Sequence, residues 1–239
     1  MKRLWLAALL FPLTLCAQTT VEMRAPEPNT DIPLPFDYPD GFGQASFELP
    51  YKPAGTLTLG EFAVELGKTR LSEVSRPLKS TLYHAPNRDE FLCFSAKIEP
   101  EEIPEKDKKK NRKKDDAAEE PAPEEYQNIW LMLGSRGQIR EVRAEVTFPG
   151  MPLCPRLPDG MEQVRLAGLK LGLPSGERAK LLEVEPTASD ESTGWFYWFS
   201  QEPSSQREDA TEINLFAVQE VDDRIVKMIS VVEHIANSN

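Results

Sequence analysis

The side chains able to do chemistry are few in this chain. Its two histidines, His84 and His234, have no metal-type neighbour at i+4 and no Cys-x-x-Cys nearby, so a zinc site is not indicated. No G-x-S-x-G elbow, HExxH, P-loop or dinucleotide fingerprint occurs. Carboxylates are plentiful, but an acid–base pair needs one desolvated member, and Glu183, Glu185, Asp190 and Glu191 read as solvated loop or helix-end charges. The expectation is a protein that binds and does not catalyse, without metal or cofactor; the alternatives are a lipid-anchored structural factor of the envelope and an enzyme of unrecognised type. The residues suited to binding are Trp130, Trp195, Tyr197 and Trp198, because Trp and Tyr bury large area at small entropic cost. They act as a binding surface if the body leaves their sheet face uncovered, and as core if it does not.

Charge narrows the partners. The formal net charge is −11 at pH 7, which repels nucleic acid and anionic membranes over most of the surface. One segment runs against this trend. Between acidic flanks, Lys108, Lys109, Lys110, Arg112, Lys113 and Lys114 form a basic run within a stretch that lacks the apolar residues of a core. It reads as an expanded loop whose charges satisfy one another, or as a basic finger for lipid headgroups or lipopolysaccharide phosphates.

The N-terminus carries an export pattern: Lys2 and Arg3, the apolar run Leu4–Leu15, then Cys16-Ala17-Gln18. The run is too short to span a bilayer. Cleavage after Ala17 makes residues 1–17 a signal peptide, with a mature chain in the periplasm or outside the cell. Alternatively LTLC acts as a lipobox and Cys16 anchors the protein to a membrane. With Cys16 removed, Cys93 and Cys154 are left in an oxidising compartment, where they pair as a disulfide or remain as two separate thiols.

The elements that must position these residues are written twice. At an offset of 105, Leu66-Gly67 falls on Leu171-Gly172 and FLCFS (Phe91–Ser95) falls on FYWFS (Phe196–Ser200). Beyond that strand the offset becomes 86, matching Asn128 with Asn214 and Ile139 with Ile225, so the first copy holds 19 extra residues. Each copy runs Leu-Gly element, short helix, loop, aromatic strand and hairpin. Thr69 and Ser175 are the expected helix N-caps, and Gly137 and Asp222-Asp223 the hairpin turns. In IREVRAEVTF, Val142, Ala144, Val146 and Phe148 alternate with Glu141, Arg143 and Glu145, which predicts one buried and one wet face. The aromatic strands do not alternate. Trp195, Tyr197 and Phe199 share one side, Phe196 and Trp198 the other, so both faces need cover.

The expected fold is α+β: two homologous repeats, each a short helix on a three-stranded antiparallel sheet, the sister repeat supplying the second cover. Repeat 1 spans 56–155 with a charged, disordered insertion at about 98–126, and repeat 2 spans 156–239. Residues 18–55 are rich in proline and form an extended arm. Its aromatics, Phe36, Tyr38, Phe42, Phe47 and Tyr51, either clamp it to the body or serve as a recognition tail.

ELGKTRLSEV and LKLGLPSGERAKLL, each a glycine-marked helix entry within a tandem of exported helix-plus-sheet units, resemble two related groups over roughly residues 56–235. These are the SmpA/OmlA-type lipoproteins of outer-membrane barrel assembly and the secreted β-lactamase inhibitory proteins. The resemblance implies a non-catalytic module that binds another exported or envelope protein. Membrane contact would come only through the basic loop or a lipidated Cys16.

Overall fold

The computed structural model describes residues 31–40, 42, 55–87, 89–98, 124–148, 150–186, 188–204 and 206–237. The expected signal segment, residues 1–17 with Cys16, and the basic run Lys108–Lys114 lie outside the described residues. The fold is α+β and mostly strand. In chain order the elements are β1 (Thr56–Leu59), β2 (Phe62–Glu65), α1 (Leu71–Leu78), β3 (Tyr83–His84), β4 (Glu90–Lys97), β5 (Tyr126–Leu133) and β6 (Ile139–Thr147). There follow β7 (Val164–Leu166), α2 (Ser175–Leu182), β8 (Ala188–Asp190), β9 (Trp195–Pro203), β10 (Ala210–Val221) and β11 (Arg224–Ala236).

Both helices are short and depend on packing, since eight residues are marginal in water. In α1 the spacing of Leu71, Val74 and Leu78 puts one apolar stripe on the core. Its start differs from expectation. Arg70 is the N-cap, and its backbone N–H donates to Glu73 Oε2 at 2.7 Å, while Thr69 Oγ1 accepts from the Glu65 N–H instead. In α2 the cap is Pro174, and Ser175 is the first helical residue.

The strands form two antiparallel sheets. A small one has the order β2-β1-β7, and a large one the order β3-β4-β5-β6-β11-β10-β9-β8. The large sheet reads the same from either edge: short outer strand, aromatic strand, hairpin, and then the seam where β6 meets β11. Each half therefore contributes four strands, the expected three plus a short outer one (β3 or β8). The seam pairs five positions, from Lys227 opposite Glu145 to Val231 opposite Glu141, centred on Arg143 opposite Ile229. The halves are thus joined edge to edge, and their covering layers are shared, with Gly55 and Gly67 of the first half lying against Val232 of β11. They also share the small sheet, because β7 pairs with β1.

Equivalent elements do not stand at the offsets the identities suggest. The helices lie 104 positions apart (Leu71 and Ser175), as do their left-handed C-caps Lys79 and Glu183. The register shifts in the two hairpins, Met132/Leu133 and Gln219/Glu220, lie 87 apart. Phe91 therefore corresponds to Trp195 and Cys93 to Tyr197, one step away from the FLCFS/FYWFS alignment. A one-residue slip exchanges the faces of a strand. Phe91 accordingly packs with Cys93 and Trp130 on one face, whereas Phe196 packs on the other.

The main core fills the space between one face of the large sheet and a layer made by the helices and the small sheet. It includes Leu92, Phe94, Leu131, Val142, Trp198 and Phe216 from the large sheet, facing Leu57, Leu59, Val74, Leu78 and Leu166. The free outer edge of β4 is covered by the proline-rich connection between the halves. There Ser95 N–H donates to Pro155 O at 2.8 Å and Leu157 N–H to Ser95 O at 2.9 Å, which blocks that edge at its middle.

Candidate functional site

The opposite face of the large sheet holds most of the residues singled out from the sequence. It carries two apolar patches, one in each half. Phe91, Cys93, Trp130, Met132 and Cys154 form the first, and Trp195, Ala217, Ile229 and Val231 form the second. Cys93 and Cys154 are joined by a disulfide, with Cα atoms 5.5 Å apart, which ties the inter-half connection to β4. Asn128 holds the same connection, its side chain accepting from Cys154 N–H at 3.0 Å and donating to Pro152 O at 3.1 Å.

Arm residues 31–40 and 42 lie over both patches. Ile32 and Phe36 pack on the first, Phe36 and Phe42 on the second, so Phe36 bridges the seam. Proline suits this role because it stiffens an extended segment and brings no N–H to satisfy. The arm's carbonyls are used as acceptors. Pro33 O takes the Trp130 indole N–H at 2.8 Å, and Phe36 O takes a guanidinium N–H of Arg143. The Phe36 ring meets Trp130 edge-on at 6.0 Å, and the Phe42 ring stands 6.3 Å from Tyr197.

This contact overturns the expected wet face of β6. Glu141 is fully buried, and Arg143 and Glu145 are less than a tenth exposed. Buried charges need partners, and the seam supplies them. Arg143 Nε donates to Glu141 Oε1 at 2.5 Å, the Tyr38 hydroxyl donates to Glu141 Oε2 at 2.5 Å, and the guanidinium lies 4.1 Å from the Tyr38 ring centre. Tyr38 keeps two-fifths of its surface exposed while its hydroxyl points inward. Burial, and then the Glu141 charge, push that phenol above its ordinary range, so it stays protonated and donates. For Arg143, burial favours the neutral form, but Glu141 outweighs it and the net direction is upward. Glu145 is pushed up by burial, partly offset by Lys227 at 3.8 Å. Lys227 also sits 4.7 Å from the Phe36 ring.

The four aromatic binding candidates are not a free surface. Trp130 and Trp198 have no exposed area, Trp195 has 5%, and Tyr197 is half-buried. Nor do they share a face. Trp198 belongs to the helix side, where its indole N–H donates to Val184 O at 3.1 Å and Arg178 stacks nearby. The other three lie under or beside the arm. The physical reason is that an aromatic strand without alternation sends large rings both ways, and both sides acquired cover.

A second site escaped the sequence reading. At one end of the seam a cleft of about 430 Å³ opens between the Gly67–Arg70 turn, the β5–β6 turn, the β9–β10 turn and the end of β11. Its lining includes Lys68, Arg70, Arg136, Arg140 and Arg207, with His234 and a single carboxylate, Glu233. These cations are scattered over 140 positions of sequence, so no local motif announces them. His84, the other histidine, stands elsewhere, 3.7 Å from Glu90.

Comparisons with protein-family models, with curated proteins and with solved structures find no match to this chain.

Proposed function

We propose that this chain is an exported, non-catalytic module, built from two homologous repeats, that binds extended proline- and aromatic-rich segments on the second face of its large sheet. The observation that carries the reading is the arm itself. It is an extended segment seated across two aromatic patches, with its backbone carbonyls bonded to Trp130 and Arg143. The face has the elements of a segment-binding surface, namely apolar pockets for alternate side chains and fixed donors for the backbone. In this reading the arm is the resident occupant, and the partner is a segment of like chemistry from another exported or envelope protein. The Cys93–Cys154 bond and the N-terminal pattern support an oxidising location, periplasmic or extracellular. The matched element order, the helices 104 apart and the shared C-cap conformation support descent from a duplication.

The test uses the full chain with Phe36→Ala/Tyr38→Ala, which loosens the arm, and a labelled synthetic peptide DIPLPFDYPDGF, residues 31–42. The variant is expected to stay folded by circular dichroism and bind the peptide with a Kd on the order of 10–100 μM, while the unaltered chain binds about tenfold more weakly because its face is occupied. A folded variant that ignores the peptide makes the arm a structural staple and defeats the proposal. So does a variant that unfolds.

A further inference from the structure

We infer that the cleft at the end of the seam is a second, separate binding site, which takes a small organic anion bearing a carboxylate or phosphate group. Five permanent cations and one carboxylate line it, in a chain whose net charge is −11. Some of that charge is already engaged. Lys68 pairs with Glu65 at 3.0 Å, Arg140 with Glu233 at 3.1 Å and Asp89 at 3.8 Å, and Arg207 with Asp209 at 2.8 Å. Arg70 and Arg136 have no ion-pair partner among the described residues.

The interior of the cleft adds an independent observation. Arg140 Nε and His234 Nε2 are shut off from solvent and have no hydrogen-bond partner. Arg140 Nε is a donor. On the other side of the imidazole, His234 Nδ1 lies 2.9 Å from Ser204 Oγ, which already accepts the Gln206 N–H. A hydroxyl oxygen has two lone pairs, so Ser204 either donates to Nδ1, which places the hydrogen of the ring on Nε2, or accepts from it. A buried unmet polar atom costs about 1–3 kcal/mol, and both side chains line the cleft, so a ligand oxygen that displaces the wall slightly gives each a partner.

The Gly67 backbone lies against His234 Nε2. Gly67 has φ +76°, and a Cβ there would stand 3.2 Å from His234 Nε2 and 3.0 Å from Val232. A side chain at 67 would crowd the imidazole and Val232. Gln138, whose amide also lacks a partner for Oε1, completes the wall and can turn either end toward a ligand. The lining is thus rich in donors, and an oxyanion accepting forked bonds from arginine is the complementary chemistry. The volume lies within the roughly 300–1,000 Å³ typical of small-molecule sites, larger than a bare inorganic ion requires.

The experiment titrates the full-length protein, in a low-ionic-strength Tris chloride buffer, with citrate and separately with inorganic phosphate. Calorimetry follows binding, and nitrogen-detected NMR follows the His234 ring. Saturable binding with Kd on the order of 1 mM or tighter is expected, with the His234 Nε2 resonance moving in step. Arg70→Ala/Arg136→Ala, which removes two exposed cations that hold no fold contact through ion pairs, is expected to weaken binding about tenfold. Tighter citrate binding assigns the site to carboxylates, and tighter phosphate binding assigns it to phosphates. Binding no stronger than matched chloride overturns the inference. So does an unmoved His234 ring, or a double variant that binds as well as the parent.

Discussion

The two faces of the large sheet are built from the same strands but buried by different means. The helix side is one continuous apolar cluster that draws on both halves and the small sheet, with Trp198 and Phe216 in ring contact at 5.6 Å. The arm side is two separate patches with a charged seam between them, where Glu141, Arg143, Glu145 and Lys227 lie under Phe36 and Tyr38. Apolar contact is non-directional and sums over area, so the first face holds the fold together. The second depends on a few oriented polar bonds and a half-exposed strap, which is the construction expected of a surface able to exchange its occupant.

The largest expected effect tests that division. Trp198→Ala removes a fully buried indole from the helix side and is expected to cost about 3–5 kcal/mol in chemical denaturation. A loss below about 1 kcal/mol would show that the continuous cluster does not carry the stability. Next comes the seam. Arg143→Met leaves Glu141 buried without its cation, and a loss of about 3 kcal/mol is expected. Adding Glu141→Leu should recover most of it, since two apolar residues need no partner. If the double variant stays as unstable as the single one, the pair's charge is not what the arm face requires.

The smallest effect is in the pH dependence. Burial raises the Glu145 carboxyl above its ordinary value of 4.5 in the folded protein. A group with a raised folded pKa supports stability fully below the unfolded value, and that support is lost as pH rises through the folded value. Glu145→Gln removes the cost of holding a desolvated carboxylate at neutral pH. The variant should therefore gain on the parent near pH 7 and lose that gain near pH 4. Denaturation midpoints at the two pH values give the answer, and an equal difference at both would mean that Lys227 compensates the charge in full.

Much of this architecture is legible in the sequence, and the exceptions have identifiable causes. The two helices, the aromatic strands, the hairpin turns at Gly137 and Asp222-Asp223, and the order helix-then-strands are all readable from local pattern; the turn residues adopt the positive φ they were chosen for. The alignment by identity failed by one residue because FLCFS and FYWFS are apolar on both sides. Only a period of two fixes which way a strand faces, and neither segment has one. The reading of β6 as half-wet failed for a related reason. Alternation correctly separated Val142 and Ala144 from Glu141 and Arg143, yet it could not show that a segment about 100 residues earlier would lie over the charged side. The cleft cations were invisible for the same cause, being distant in sequence and close only in space.

The chain by itself determined its local elements and the separation of its side chains into faces, because rotation per residue and turn chemistry act over a few positions. The tertiary structure decided what covers each face, how the halves join along β6 and β11, and which charges meet at the seam and in the cleft. Those outcomes depend on contacts between distant segments, chosen by competing burial and by the need of every enclosed charge for a partner.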